Sequence, residues 1–130
     1  MINYKLKYPI IAVDWDSTLY FDDYEGGQVS PSGIYYLKKY KSLSGSLILY
    51  TCRAEQQELD DIIKWCKSLG LEFDAINKNI PEHEELWLKE HPNSTISPKP
   101  FWNLLIDDTA FGTYNHIDWD IIGKEISKMR

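Results

Sequence analysis

The chain has 130 residues, 43% of them hydrophobic and 26% charged, which is enough for one folded domain over residues 1–130 but not for a second module. Its 14 basic and 20 acidic residues give a net charge of −6, and no basic run favours a nucleic acid partner. Two cysteines cannot build a disulfide framework, and no segment has the apolar length of a signal peptide or a membrane span, so we expect a soluble, cytoplasmic protein.

The first predicted element is a strand over residues 9–13, because this continuous apolar run is typical of a strand buried on both faces of a parallel sheet. The run ends abruptly at Asp14. The polar and aromatic stretch 15–29 that follows contains Gly26-Gly27, which predicts a loop or a small hairpin.

A helix is predicted next, because Ser30-Pro31-Ser32 supplies a helix start, apolar residues recur at helical spacing, and Ser44-Gly45 closes the segment. A second apolar strand over residues 47–50 ends at Thr51. The amphipathic helix after it carries one apolar stripe, made of Leu59, Ile62, Ile63, Cys66 and Leu69. Gly70 stands where a C-terminal cap belongs and ends that helix.

The remaining elements continue the alternation of strands and helices. A short third strand is predicted over residues 71–76, and Pro81 can open a short helix. A fourth apolar strand over residues 101–106 runs into paired acids, and residues 118–129 are predicted as a terminal helix. The residues expected to point inward from this helix are Ile121, Ile122 and Ile126. The order of elements predicts an α/β sandwich around a parallel sheet.

Polar residues of one chemical kind follow three of these strands. Asp14 and Asp16 follow the first, Thr51 the second, and Asp107 with Asp108 the fourth. Because the carboxyl ends of parallel strands share the edge where ligands bind, these four carboxylates should converge. Crowded carboxylates resist ionising unless a cation joins them, and Mg²⁺ prefers oxygen ligands together with a substrate phosphate. The pattern therefore predicts a Mg²⁺ site that handles a phosphate group.

These motifs resemble those of the haloacid dehalogenase (HAD) superfamily. Asp14-Trp15-Asp16-Ser17-Thr18 resembles the first HAD motif, Asp-x-Asp-x-Thr, with Ser17 where glycine is usual. The strand that ends at Thr51 resembles the second motif, and Leu104-Leu105-Ile106-Asp107-Asp108 resembles the fourth. The intervals between the motifs leave no room for a cap domain. The chain therefore resembles the small capless subgroup, which implies a three-layer, Rossmann-like (HAD-like) sandwich with a central, mostly parallel sheet.

The resemblance implies a role for each matched acid. Asp14 is the implied nucleophile, which forms an aspartyl-phosphate, and Asp16 is the implied general acid and base. Asp14, the backbone carbonyl of Asp16, and either Asp107 or Asp108 are the implied Mg²⁺ ligands. The implied reaction is the hydrolysis of a phosphomonoester, which would make the chain a HAD-type phosphatase.

Thr51 and a lysine are implied to bind the transferring phosphoryl oxygens. Lys99 lies eight residues before Asp107, as the third HAD motif favours, but it stands between two prolines, so Lys78 is a rival. The further candidates for contact with substrate are Thr18, Arg53 and Asn77. Arg53 is equally consistent with a surface arginine, and Asn77 with a turn.

Two other functions use similar residues. A receiver-like signalling domain also combines strand-end acids, a threonine, a lysine and Mg²⁺, but its paired acids come early in the chain, whereas here they come last. A phosphotransferase on the same fold would use the same residues with an acceptor other than water. Because an uncapped site is open to water, we expect either a large substrate or a homo-oligomer that completes the pocket. The expected partner is a phosphorylated small molecule or an exposed phosphate on a larger one, with no membrane role.

Overall fold

A computed structural model describes residues 1–22, 26–110, 112–113 and 116–130 of the chain. Its strands are β1 (Ile10–Val13), β2 (Tyr20–Phe21), β3 (Gln28–Val29), β4 (Ser46–Leu49), β5 (Ala75–Ile76) and β6 (Leu104–Ile106). Its helices are α1 (Pro31–Ser42), α2 (Gln56–Ser68), α3 (Pro81–Glu90) and α4 (Trp119–Ile126). After β1, helices alternate with the strands of the main sheet, as the apolar pattern predicts.

Four strands form one parallel sheet in the order β5-β4-β1-β6. In its interior, Ile11 of β1 is paired with Leu47 of β4 on one side and with Leu104 of β6 on the other. Every residue of β1 and β4 is buried, as expected for strands that are covered on both faces. The structure confirms the predicted class, an α/β sandwich of Rossmann-like type around a central parallel sheet.

The stretch after β1 contains a small hairpin, as Gly26-Gly27 predicts. Its strands β2 and β3 are antiparallel, with Tyr20 paired with Val29; residues 23–25 lie outside the described part of the chain. Trp15 is buried and stacks on Tyr20 with the ring centroids 5.3 Å apart, which fixes the base of the hairpin. Between the first two motifs, the described residues hold this hairpin and α1, so they contain no cap domain.

One face of the sheet packs against α1, α2 and α4. The buried residues of these helices are Gly33, Ile34, Leu37 and Tyr40 of α1, Ile62 and Cys66 of α2, and Trp119, Gly123 and Ile126 of α4. The prediction for α4 is wrong at Ile121, which is 68% exposed. Trp119, Gly123 and Ile126 recur every three or four residues and form the inward stripe, which leaves Ile121 on the other side of the helix.

The opposite face of the sheet is covered more thinly. Its buried core consists of Ile2, Ile10, Ala12, Ile48, Ala75 and Ile80. α3 buries none of its own residues, so most of its surface faces solvent. Trp102, which precedes β6, packs on this core beside Tyr50, with the ring centroids 4.9 Å apart. The segment before β6 therefore helps α3 to cover this face.

Two strands are shorter than predicted. The strand expected over residues 71–76 is limited to β5, because the Asp74 carboxylate accepts a hydrogen bond from a backbone N–H of β4 before the strand pairing begins. The strand expected over residues 101–106 is limited to β6, because the Phe101 backbone N–H donates to the Asn79 side chain. In both places a side chain satisfies a backbone group that the sheet would otherwise pair.

The helix ends follow local chemistry. The Ser30 hydroxyl accepts a hydrogen bond from the first turn of α1, which confirms the predicted start. Gly70 has φ of +86° just after α2, which confirms the predicted cap. α4 is shorter than the predicted 118–129, because Met129 leaves the helix and bridges Leu6. Across the described ranges, every helix is too short or too polar to cross a lipid bilayer.

Candidate metal centre and active site

The candidate site lies where the order of the sheet reverses. From β1 the chain passes to β4 and then β5 on one side, and it returns to β6 on the other side of β1. In such sheets the crevice between the two diverging connections, at the carboxyl ends of the strands, is where ligands bind. Asp14 stands at this point, since its backbone N–H donates to the Ile106 carbonyl of β6 at 2.9 Å.

Three carboxylates converge in this crevice. Asp14, Asp107 and Asp108 each offer a carboxylate oxygen, and these oxygens all lie within 4.8 Å of one another. One Asp107 oxygen accepts 3.0 Å hydrogen bonds from both the backbone N–H and the hydroxyl of Thr109, which fixes its orientation. A set of hard oxygen donors on two neighbouring strand ends suits Mg²⁺, which takes one or two carboxylates and completes its shell with water and phosphate. We call these three residues the acidic cluster.

Burial and the neighbouring acid Asp107 raise the pKa of two carboxyl groups in the acidic cluster. Burial, followed by the charge of Asp107, raises the pKa of Asp14 from 3.8 to about 6. Burial also raises the pKa of Asp108, again with a contribution from Asp107. Asp14 and Asp108 therefore resist ionising in the absence of a cation, and a bound divalent ion would favour their charged forms.

Thr18 hydrogen-bonds to two residues of the acidic cluster. It is fully buried, and its hydroxyl donates to Asp14 Oδ2 at 3.2 Å and accepts from the Asp108 backbone N–H at 3.0 Å. Its carbonyl accepts a 2.9 Å hydrogen bond from the Trp119 indole N–H of α4. Thr18 has no exposed surface and orients two of the acids, and its predicted contact with substrate stays a prediction.

Asp16 lies outside the acidic cluster and forms an ion pair with Arg53. The guanidinium donates to both carboxylate oxygens, at 3.0 Å from Nε and 2.7 Å from Nη2, and it lies 5.9 Å from the centre of the Tyr20 ring. The side chain of Asp16 is about half exposed, so it faces the open side of the site. The predicted metal contact of Asp16 uses its backbone carbonyl and stays a prediction. Arg53, a candidate for binding substrate, here binds Asp16.

Thr51 is held at the end of β4 by the neighbouring strand connection. Its backbone N–H donates to Asn77 Oδ1 at 2.8 Å, and its hydroxyl accepts the Arg53 backbone N–H at 3.2 Å. Asn77 adopts φ of +53°, a left-handed conformation that asparagine tolerates better than most residues. This geometry supports the interpretation of Asn77 as a turn residue, and its contact with substrate stays a prediction.

Two lysines, Lys78 and Lys99, remain candidates for the third motif. Lys78 follows Asn77 directly, on the connection that leaves β5. Lys99 precedes β6, and its Nζ lies 5.9 Å from the centre of the Trp102 ring. Among the described residues, neither lysine pairs with a member of the acidic cluster, so the assignment of Lys99 stays a prediction.

Comparison with known proteins gives a relative of the same fold. No family model and no curated protein matches the chain. The solved structure of a conserved protein from Bacteroides thetaiotaomicron matches with 35% sequence identity and a TM-score of 0.67, covering 88% of this chain and 86% of that one. The chain belongs to the family of this Bacteroides protein. The description of that relative as a conserved protein carries no activity, so the function has to be inferred from the site.

Two contacts at the candidate site could not be predicted from the sequence. The Asp16–Arg53 pair joins residues whose separation in sequence is 37, and the Thr18–Trp119 hydrogen bond joins residues separated by 101. Each residue lies near a recognisable motif, but nothing in a single sequence indicates which long-range partner it contacts. The available signal was limited to position: an arginine two residues after Thr51 lies at the same sheet edge as Asp16.

Proposed function

We propose that the protein is a Mg²⁺-dependent phosphohydrolase that cleaves a phosphomonoester through an aspartyl-phosphate on Asp14. The observation that carries the proposal is the convergence of Asp14, Asp107 and Asp108 within 4.8 Å at the point where the sheet order reverses. A second acid, Asp16, stands apart from them on the open side of the site. This separation supports two different tasks, nucleophilic attack and proton transfer, for the two acids of the first motif.

In the first half-reaction, a carboxylate oxygen of Asp14 attacks phosphorus and the bond from phosphorus to the leaving oxygen breaks. The electron pair departs with the leaving oxygen, which takes a proton from Asp16. For this step Asp16 is protonated on one oxygen, which gives up its hydrogen bond from Arg53, while the other oxygen keeps its own. Thr18 holds the attacking group in place, because its hydroxyl donates to Asp14 Oδ2. Thr51 and either Lys99 or Lys78 would donate to the phosphoryl oxygens, whose charge must be stabilised.

In the second half-reaction, water attacks the phosphorus of the aspartyl-phosphate. Asp16, now ionised, accepts the proton of that water, the bond from phosphorus to Asp14 breaks, and inorganic phosphate leaves. Arg53 keeps the Asp16 carboxylate at a fixed position between the two half-reactions through its two hydrogen bonds. The same acid thus gives and then takes one proton, and the enzyme returns to its starting state.

The metal and the setting complete the proposal. The acidic cluster and the Asp16 carbonyl would hold Mg²⁺, which supplies positive charge to the phosphate and offsets the repulsion among the acids. The described residues contain no cap domain, so the cover of the site would come from a large substrate or a second copy of the chain. Cys52 and Cys66 are free thiols, which is consistent with a cytoplasmic location.

The test is phosphate release from a panel of sugar phosphates, nucleotides, polynucleotide ends and phosphopeptides, with Mg²⁺ or with EDTA. We expect release that depends on Mg²⁺ and is lost in Asp14→Asn, while the matched surface variant Asp60→Asn keeps full activity. Mass spectrometry of the acid-quenched protein should find the added phosphoryl group on Asp14. Undiminished release by Asp14→Asn would refute the proposal.

The same panel separates the alternatives. A receiver-like domain would accept phosphate from a phosphoryl donor and release no phosphate from monoesters. A phosphotransferase would release the leaving alcohol only in the presence of an acceptor, and the phosphoryl group would appear on that acceptor rather than as free phosphate. The lysine is assigned by comparing Lys99→Ala with Lys78→Ala. The variant that loses the phosphoryl contact should show the larger fall in kcat/KM, because it lacks a charge that stabilises the transition state.

A further inference from the structure

A cavity lies between α3 and the segment that leads into β6. Its volume is about 480 Å³, within the range of roughly 300–1,000 Å³ that small-molecule pockets occupy. The residues of its wall that carry rings or polar groups include Asn79, His83, Trp87, Lys99, Phe101 and Trp102. No member of the acidic cluster lines it, so this cavity is a separate feature.

The wall of the cavity suits a flat ring. His83 and Phe101 stack on each other, with ring centroids 4.6 Å apart and planes within 8°. Trp87 and Trp102 add two further aromatic surfaces. Aromatic side chains bind planar groups through their faces and edges, and each stacked ring contributes independently of the ring's hydrogen-bonding pattern.

The cavity also holds polar groups that a purely apolar ligand would leave unused. Asn79 is only 8% exposed, and its Oδ1 accepts the Phe101 backbone N–H at 2.6 Å. Its amide nitrogen has no hydrogen-bond partner among the described residues and is not fully buried, and Asn79 lines the cavity. Lys99 adds positive charge to the wall. A ligand here needs hydrogen-bond acceptors as well as a ring.

One contact and one short chain connection link this cavity to the candidate active site. Asn79 lies two residues after Asn77, whose side chain holds the Thr51 backbone N–H at 2.8 Å. Trp102 packs on Tyr50, the residue before Thr51, with ring centroids 4.9 Å apart. The wall of the cavity therefore contacts the residue that precedes Thr51.

We propose that this cavity binds the planar, acceptor-bearing ring of the substrate, so that the substrate class is a nucleoside monophosphate or a similar phosphorylated heteroaromatic compound. The phosphate half of this statement rests on the proposed function, whereas binding of the ring does not. Trp87 and Phe101 stack on the ring, and the Asn79 amide donates to one of its acceptors.

The test first measures binding of the four common nucleosides, which carry no phosphate, to the full wild-type chain by calorimetry. We expect at least one to bind, and Trp87→Ala to weaken that binding about tenfold, as the loss of one stacking partner does. Trp87→Phe should restore most of it. Asn79→Asp keeps the acceptor for the Phe101 N–H but loses the amide donors, so it should also weaken binding. Leu88→Ala, an exposed residue of the same helix outside the cavity wall, should have no effect.

The second measurement compares kcat/KM for the matching nucleoside 5′-monophosphate and for ribose 5-phosphate. We expect the ring-bearing ester to be preferred at least tenfold, and Trp87→Ala to remove the preference by lowering kcat/KM for that ester alone. If no nucleoside binds, or if Trp87→Ala leaves nucleoside binding unchanged, the cavity proposal is overturned while phosphate release still stands. Nucleoside binding without any hydrolysis would instead support the cavity and refute the proposed function.

Discussion

Replacing Asp14 with asparagine should make the metal-free protein more stable. The fold raises the pKa of this carboxyl from 3.8 to about 6, so at neutral pH it holds an ionised group in an environment that disfavours the charge. A tenfold change in an acid dissociation constant corresponds to about 1.4 kcal/mol, so the unfavourable free energy is at most about 3 kcal/mol. Allowing for the remaining solvent contact of Asp14, we expect a gain of about 1 to 3 kcal/mol in the free energy of unfolding.

The sign of the effect fixes its dependence on pH. Because the folded-state pKa of Asp14 lies above the unfolded value, the native protein holds this proton more tightly, and stability from this group is present below about pH 4. That stability is lost as the pH rises through about 6, where the folded carboxyl ionises. The advantage of Asp14→Asn should therefore be near zero at about pH 4, grow through pH 6 and level off above pH 7.

The assay is urea unfolding of both proteins in EDTA at several pH values between these limits. Asp60→Asn, on the exposed surface of α2, is the matched control and should track the wild type. Added Mg²⁺ should stabilise the wild type more than Asp14→Asn, because the ion offsets the charge that the variant lacks. If Asp14→Asn is no more stable than the wild type at pH 8 in EDTA, burial and the charge of Asp107 do not disfavour the ionised Asp14 as inferred.

Three further substitutions test the contacts around the site and the core. Arg53→Ala should lower kcat roughly tenfold, because Asp16 is then no longer held in position. The loss should be larger for alkyl phosphates than for esters of acidic phenols, because a poor leaving group depends more on protonation by Asp16. Equal losses for both kinds of ester would contradict a role of Arg53 in proton transfer. Thr18→Val leaves the Asp108 backbone N–H without its acceptor, so it should cost about 1–3 kcal/mol and weaken Mg²⁺ binding in a titration, whereas Thr18→Ser should preserve both. The Tyr40 hydroxyl donates a 2.7 Å hydrogen bond to the Tyr8 backbone carbonyl. Tyr40→Phe should therefore lower the free energy of unfolding in urea by about 1–2 kcal/mol and leave phosphate release unchanged. A loss of activity would contradict a purely structural role for this hydroxyl.

The sequence predicts the parts of this fold that local patterns determine. The apolar runs around Ile11 and Leu47 indicate buried parallel strands, and the structure pairs them as neighbours. Asp14, Asp107 and Asp108 meet because parallel strands share an edge, whereas Asp16, which is predicted to converge with them, pairs with Arg53 instead. Asp14 and its partners could therefore be grouped without coordinates.

What the sequence could not provide depends on side chains that meet across the fold. The early end of the third strand depends on Asp74, whose carboxylate takes a backbone N–H of β4. The inward face of α4 depends on Trp119, which reaches Thr18 rather than following the aliphatic residues of the helix. Ser17 adopts φ of +61°, a left-handed conformation, which explains why glycine suits this position but does not identify the Asp16–Arg53 pair beside it.

The hydrogen bond from Trp119 to the Thr18 carbonyl has a consequence for biosynthesis. A ribosome delivers Asp14 long before Asp107, and α4 later still, so β1 can pair with β4 while its other edge waits for β6. A nascent chain that has not yet released Trp119 therefore lacks both the second half of the acidic cluster and the tie that steadies the loop after β1. Such incomplete chains have only one of the three acids in place, so the acidic cluster forms only after translation has passed β6 and α4.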